Sequence, residues 1–493
     1  MNRKKQLRIT ALVISMLMLS SCQSWLDINR DPSFPQVANA EVLLPPIFQE
    51  MWRGDAFDSR YFGCYVQNWA NTGASFYGDQ HGWLQGSDAL GEKWRQHYWS
   101  MGKNIDLIVD DAVKNKKWWY AGAACAIRAW SWQTSTDCYG EMILKEAWEP
   151  NRYIFDYDTQ DLIYAEVVRL CNQALDYLNM DDQTNTLAAG DLAYKGDRDK
   201  WKKFVYAVLA RNAHHISNKS SYNPDAVISF VDQAMASNTD NFYVPHQGGI
   251  TNADGGNNNF FGPTRGNLGT YRQANFSLKL LDGTGQFPGV VDPRLPLMLQ
   301  PSTDATYRGL NNGSGNTFSG TQAIPTFYGK FLFLDNSSIP IFTYAEMQFI
   351  KAEAASKKND LVTSLAAYKN GIQAHMDYLG VSAANKNTYM ASTAVAQTTL
   401  QLTLSGIMLQ KYIAMWGHGI LETWVDMRRY HYDATVYTGF VLPSPLFATN
   451  NGKPAYRARP RYNSEYVWNL AALDKIGATK FDYNTVEQWF SQP

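Results

Sequence analysis

Hydrophobic and polar positions alternate with two characters along this chain. Apolar residues at three- and four-residue spacing predict helices over residues 47–62, 88–109, 118–133, 159–178, 200–217 and 224–236, and again over 343–357, 361–378, 393–417 and 419–429. The segments 88–109 and 118–133 read as an antiparallel pair, the second with alanines along one face. Between 238 and 340 Gly, Asn, Pro and Thr dominate, with one helical pattern at 271–281, so loops and a few short strands are expected. Residues 64–85, rich in Tyr, Trp, Asn and Gly, keep no period and read as a long surface loop. The final sixty residues are again irregular. The class is therefore mostly α, with a loop-rich, variable part. Helix pairs at roughly 34-residue spacing fit tetratricopeptide-like units as well as any other helical domain.

The first residues carry a different signal. Arg3, Lys4, Lys5 and Arg8 precede an apolar run from Ile9 to Leu19, and Leu19-Ser20-Ser21-Cys22 follows. The run is about eleven residues, against roughly twenty for a bilayer-spanning helix, so it reads as a cleaved bacterial lipoprotein signal over residues 1–21. Cleavage would leave Cys22 diacylated. Two acyl chains anchor stably, since each buried methylene contributes about 0.8 kcal/mol. Residues 22–46, with Pro32, Pro35, Pro45 and Pro46, then read as a lipidated tether, residues 47–237 and 341–493 as a helical scaffold, and 238–340 as a loop-rich insertion in the same domain.

Composition narrows the function. The formal net charge is −1, and losing the signal's four cations makes the chain mildly acidic, which offers no basic footprint for nucleic acid. Cys64, Cys125, Cys138 and Cys171 are too few and too irregularly spaced for a disulfide framework or zinc site; buried thiols are favoured over a Cys125–Cys138 pair. Sixteen Trp, 29 Tyr and 23 Phe make 14% of the chain, and many sit beside Asn, Asp, Gln and Gly. Rings in such polar-flanked, aperiodic segments are expected outside, where they can stack on sugar faces or peptide side chains. This selects Trp69, Phe76, Tyr77 and Trp83 in the first loop and Phe260, Phe261 and Tyr271 in the insertion, with Asn71, Asp79, Gln80, Asn257 and Arg272 as polar companions.

Motifs of chemistry are sparse. No two of the eight histidines have zinc-hydrolase spacing, and the adjacent pair His214-His215 would point about 100° apart on a helix. Phosphate-cradling glycine loops, dinucleotide fingerprints and nucleophile elbows are missing. The oxygen-rich run Asn252 to Asn259 lacks the spaced acids of a calcium loop. Neither a cofactor nor a metal is assigned. Carboxylate pairs for glycoside hydrolysis are uncountable from sequence, so an anchored hydrolase stays open as a third reading.

Several segments together resemble the SusD/RagB family of nutrient-binding outer-membrane lipoproteins. These are the Cys22 box with Leu26-Asp27-Ile28-Asn29-Arg30-Asp31-Pro32, Asp137-Cys138-Tyr139-Gly140-Glu141, Tyr194-Lys195-Gly196-Asp197 with Trp201, and Asp292-Pro293-Arg294. Further along come the helix Tyr344 to Ala354 with Glu346, Lys351 and Glu353, the run Glu422 to Arg429, and Arg459-Pro460-Arg461-Tyr462 with Glu465. For these landmarks the residues themselves favour structural roles: ion pairs or caps for Glu346, Lys351 and Glu353, core for Trp424, and anchoring of loops or carboxylates for Arg428 and Arg429. The resemblance implies a scaffold of four tetratricopeptide-like helix pairs, a loop-borne ligand site, and no catalysis. It further implies a lipid-anchored protein on the extracellular face of the outer membrane, docked as a lid on a SusC-like TonB-dependent transporter. The cargo would be oligosaccharide, or alternatively oligopeptide; the aromatic content favours the first.

Overall fold

The computed structural model describes residue 3, residues 38–249, 251 and 256–493. The signal segment, Cys22, most of the tether and Asn252 to Gly255 lie outside the described residues.

The first helix, α1 (Ala40–Tyr65), starts six residues before the tether was expected to end and passes straight through Pro45 and Pro46. Two prolines each forfeit a backbone bond, a cost of about 3 kcal/mol apiece in an isolated helix. Tertiary contacts offset it here. The Asn39 side chain accepts from the Val42 amide, the Asp111 carboxylate accepts from the Ala40 amide, Lys117 pairs with Glu41 at 2.8 Å, and Ala40, Leu44, Ile47, Phe48 and Met51 face the core.

A short strand, β1 (Trp69–Asn71), follows. Then α2 (Glu92–Arg95), a π-helical segment Gln96–Gly102 and α3 (Lys103–Lys114) lead to α4 (Trp118–Tyr139), whose small alanines let neighbours approach. α5 (Gln160–Asn179) runs along α4. α6 (Arg198–His215) begins where Asp197 accepts from the Asp199 and Lys200 amides, and α7 (Pro224–Gln233) where Asn223 caps and Pro224 sits at the first position. In the insertion β2 (Phe242–Val244) and β3 (Tyr271–Gln273) precede the one-turn α8 (Asn275–Lys279), so the helix expected at 271–281 is a strand and a single turn. β4 (Ile339–Phe342) pairs antiparallel with β2 and delivers the chain to α9 (Tyr344–Lys357), capped by Thr343, which packs on α10 (Leu361–Tyr378). The helix expected at 393–417 is divided. α11 (Ala383–Met390) ends before it, residues 393–403 are loop, and α12 (Leu404–Met415) starts where Thr403 caps the Gly406 amide. The last long element is α13 (Ile420–Arg429); short turns and the one-and-a-half-turn helix Leu470–Lys475 complete the chain.

One continuous core runs through these helices, with Trp52, Trp130, Trp201, Trp416 and Trp424 among its fully enclosed side chains. Charges are buried with it. Arg429 donates both Nη groups to Glu353 at 2.7 and 3.0 Å and one also to Asp426 at 2.6 Å; Lys411 contacts Asp426 at 2.7 Å and Glu422 at 3.3 Å. Glu422 meets His215 at 2.9 Å, His215 meets Asp137 at 3.2 Å, and Arg211 holds Glu346. This chain of ions joins α4, α6, α9, α12 and α13. It accounts for the motif residues Asp137, Glu346, Glu353, Glu422 and Arg429 as structural, while Arg428 lies 3.7 Å over Trp424 and donates to the carbonyls of Asp137 and Tyr456. The four cysteines Cys64, Cys125, Cys138 and Cys171 are buried and free.

Candidate functional site

The segment 64–85 is not a surface loop. Residues 62–71 and 78–83 are buried, because β1 pairs antiparallel with β3 (Trp69 with Gln273, Ala70 with Arg272, Asn71 with Tyr271) and the turn beyond is roofed by insertion loops. This pairing brings the two sets of candidate residues, some 200 positions apart, into one place.

The rings divide sharply by burial. Trp69 is fully enclosed: its indole lies against Gly63, where even a Cβ would clash at 2.2 Å, and its Nε1 donates to the Arg60 carbonyl. Phe261 is equally buried, edge-on to Trp52 at 5.0 Å and to Trp69 at 5.6 Å. Phe260 and Tyr271 are 4% and 6% exposed. Trp83 is nearly buried and sits elsewhere, under the Arg459 guanidinium at 4.1 Å and beside Tyr466. These five serve packing. Phe76 and Tyr77 remain half-buried, and α1 adds a ring the sequence pattern had not marked: Tyr61 lies near-parallel to Phe76 (6.2 Å, 21°) and to Tyr77 (5.7 Å, 26°). Phe76 also meets Tyr271 edge-on at 6.0 Å. Arg60, one helix position earlier, lies over Phe57 at 4.1 Å and reaches Tyr61 and Phe260 at 5.6 Å. The result is a stepped aromatic ledge with a guanidinium at its edge. Helical periodicity put Tyr61 and Arg60 on a predicted core helix, which is why they escaped notice.

The polar companions hold the ledge rather than line it. Asp79, fully enclosed, accepts from the Asn71 amide at 3.1 Å and from Asn312 Nδ2 at 2.9 Å, and Asn312 donates as well to the carbonyls of Cys64 and Trp69. Burial pushes the Asp79 carboxyl up to about 6, against hydrogen bonds from Cys64, Gly313, Asn71 and Asn312 that pull it down. Asn71 accepts from the Gly73 amide and donates to Thr270. Gln80 is buried, its carbonyl receiving the Phe447 amide. Arg272 is spent on the carbonyls of Ile324, Gly269 and Tyr271. Asn257 is exposed and stands apart, lining a separate 680 Å³ cavity with Phe48, Glu50, Lys195 and His246. Burial, aided by a hydrogen bond with Tyr61, raises the Tyr77 hydroxyl, so it stays a neutral donor.

Among the described residues no group of His, Cys, Asp and Glu could hold a metal ion, and no helix is long and apolar enough to cross a membrane.

Comparison with known proteins agrees with this architecture. No curated protein matches the chain. A solved SusD/RagB family protein from Bacteroides thetaiotaomicron superposes at TM-score 0.72 with 21% identity, covering 92% of this chain and 99% of that one. A chitin-binding protein aligns at TM-score 0.74, 21% identity and 92% and 100% coverage; a chitin-binding SusD homologue from Flavobacterium johnsoniae aligns at 0.71, 18%, and 92% and 98%. At these identities the likeness establishes the fold, a helical scaffold of the tetratricopeptide-containing SusD type. The SusD-like family model, described as "Starch-binding associating with outer membrane", matches residues 32–458, and the chain accordingly belongs to the SusD-like family.

Proposed function

We propose that this protein is a non-catalytic surface lipoprotein that captures neutral oligosaccharides on the Tyr61–Phe76–Tyr77 ledge and hands them to a TonB-dependent outer-membrane transporter. The observation that carries this reading is the ledge itself: Tyr61 on α1 lies near-parallel to two half-buried rings, Phe76 and Tyr77, which are tilted 47° to each other on a loop fixed by Asp79 and Asn312. Such rings stack on the C–H faces of sugars, and the two phenols with Arg60 supply donors to hydroxyls. Each ring contributes about 1 kcal/mol, so three rings with a few hydrogen bonds reach millimolar to micromolar dissociation constants, weak enough to release cargo. Chitin-binding proteins of the same fold support testing N-acetylglucosamine chains first. The family's association with the outer membrane supports lipidation at Cys22 and exposure on the outer face.

Calorimetry of the chain lacking residues 1–22 tests the reading against chitin, starch and other oligosaccharides beside mixed oligopeptides. Heat with one glycan class, weakened about tenfold by Tyr77→Ala, is expected. Heat with peptides alone overturns the cargo, and turnover of any glycan overturns the absence of catalysis.

A further inference from the structure

A second concavity lies on another part of the scaffold. Trp94, Tyr98, Trp99, Trp148, Phe155 and Ile143 wall a cleft of about 300 Å³, with Arg95, Arg461 and Ser464 at its edge. Two features separate it from ordinary surface relief. Two π-helical segments, Gln96–Gly102 and Tyr462–Tyr466, meet at it and supply Tyr98, Trp99, Ser464 and Glu465, the rest of the wall coming from Trp94 and residues 143–155, and wide π turns of this kind recur at functional sites. Trp99, in the middle of the first, is 69% exposed, which is a large apolar area to leave in water unless something covers it.

The chemistry of the walls selects the occupant. Several of their polar atoms are already engaged: the Tyr98 hydroxyl donates to the Ile143 carbonyl, Trp148 Nε1 to the Tyr98 carbonyl, and Glu465 accepts the Tyr157 hydroxyl at 2.6 Å. What remains for a ligand is ring surface and the exposed Trp99 indole. The edge cations are neutralised, Arg95 by Glu92 at 2.8 Å and Arg461 by Asp88 at 2.5 Å, so nothing there calls for an anion. The Arg95 guanidinium lies 4.4 Å from the Trp99 ring centroid and steadies it. A volume of 300 Å³ stands at the lower end for small-molecule sites and admits one ring rather than a chain. A neutral ring with an apolar face and an apolar substituent satisfies all of this.

We infer that this cleft is a second sugar site, taking a single neutral N-acetylhexosamine unit with its C–H face on Trp99 and its acetamido methyl among the rings. The inference rests on the oligosaccharide reading of the ledge and extends it: one glycan chain engages two separated points, or two chains bind at once. The ledge orients cargo and the cleft adds residence.

Titration calorimetry with N,N′-diacetylchitobiose, a probe too short to bridge distant sites, tests this on the chain lacking residues 1–22. The wild type is expected to bind two equivalents. Trp99→Ala, an exposed position whose loss spares the core, is expected to remove one event and leave the other within twofold, whereas Tyr77→Ala weakens the complementary event about tenfold. Two events surviving Trp99→Ala overturn the inference, as does a single event that Tyr77→Ala weakens and Trp99→Ala leaves unchanged; the latter leaves the ledge reading standing. No binding of this or any other glycan overturns both. Protection of Trp99 fluorescence from acrylamide quenching by the sugar, retained in Tyr77→Ala, is the independent readout.

Discussion

At the residue scale, the deciding quantity is whether a ring has a free face, and composition does not carry it. Trp69 and Tyr77 stand eight positions apart in equally polar surroundings, yet one is sealed against Gly63 and the other half open. The polar neighbours that suggested solvent are turned inward: Asn71, Asp79 and Asn312 satisfy one another and nearby backbone groups. Their substitution should therefore separate two effects. Trp69→Ala removes an enclosed indole and is expected to cost about 3 to 5 kcal/mol of stability by denaturant unfolding, whereas Tyr77→Ala is expected to leave the unfolding midpoint nearly unchanged and weaken glycan binding. Asp79 gives a pH signature. Its carboxyl in the fold titrates near 6, above the ordinary 3.8, so the folded chain holds a proton longer than the unfolded one. Its contribution is full below about pH 4 and is lost as pH rises through 6, by about 3 kcal/mol. Asp79→Asn is expected to remove that slope in a series of denaturant melts at pH 4 to 7.

At the element scale, most helices were legible because their apolar spacing and caps agree, as at Asp197, Asn223, Thr343 and Asp360. The exceptions are places where long-range contacts outvote local signals. Prolines 45 and 46 argued for a tether, but Asp111, Lys117 and the core hold that segment helical. Residues 271–273 have helical-looking neighbours, but β1 offers them a ladder. Helix α6 shows how far position decides chemistry, because His214 and His215, adjacent in sequence, face different partners. Burial drives His214 down to about 4 despite Glu353 at 2.8 Å, with Arg429 working in the same direction as burial. Burial opposes charge on His215 too, but Glu422 and Asp137 flank it on both ring nitrogens and lift it to about 9. The signs follow. His215 stabilises the fold fully below about pH 6.5, and that contribution is lost as pH rises through 9. His214 contributes above 6.5 and loses its contribution as pH falls towards 4. Each amounts to about 3 kcal/mol. Proton NMR at pH 7.5 is expected to show one imidazolium and one neutral ring in α6; two neutral rings would contradict the geometry around Glu422.

At the scale of the whole molecule, the ionic chain through α4, α6, α9, α12 and α13 sets how the helices are registered against one another. A greasy interface between helices tolerates sliding, while a bidentate Arg429–Glu353 contact with both partners fully enclosed does not. That rigidity extends to the ledge, since β1, β3 and the ledge hang from the end of α1, whose Phe62 ring stacks 4.6 Å from Trp424 of α13. Three of the motif segments that announced the family in the sequence, those carrying Asp137, Glu346 with Glu353, and Glu422 to Arg429, belong to this chain, so the scaffold was legible where helical spacing and charge coincide; of the ledge, Phe76 and Tyr77 were legible from their polar-flanked loop, and Tyr61 was not because it sits on a core helix. Glu353→Gln leaves Arg429 buried with one neutralising carboxylate instead of two and also deprives His214 and Tyr430 of their acceptor. Breaking a buried pair in this way costs about 3 to 5 kcal/mol. By contrast Lys475 and Asp156, 2.6 Å apart but both well exposed, form a pair that solvent and salt screen. Asp156→Asn is therefore expected to leave Tm unmoved, while Glu353→Gln lowers it by several degrees, by the same amount at low and at high salt, because no mobile ion reaches Arg429.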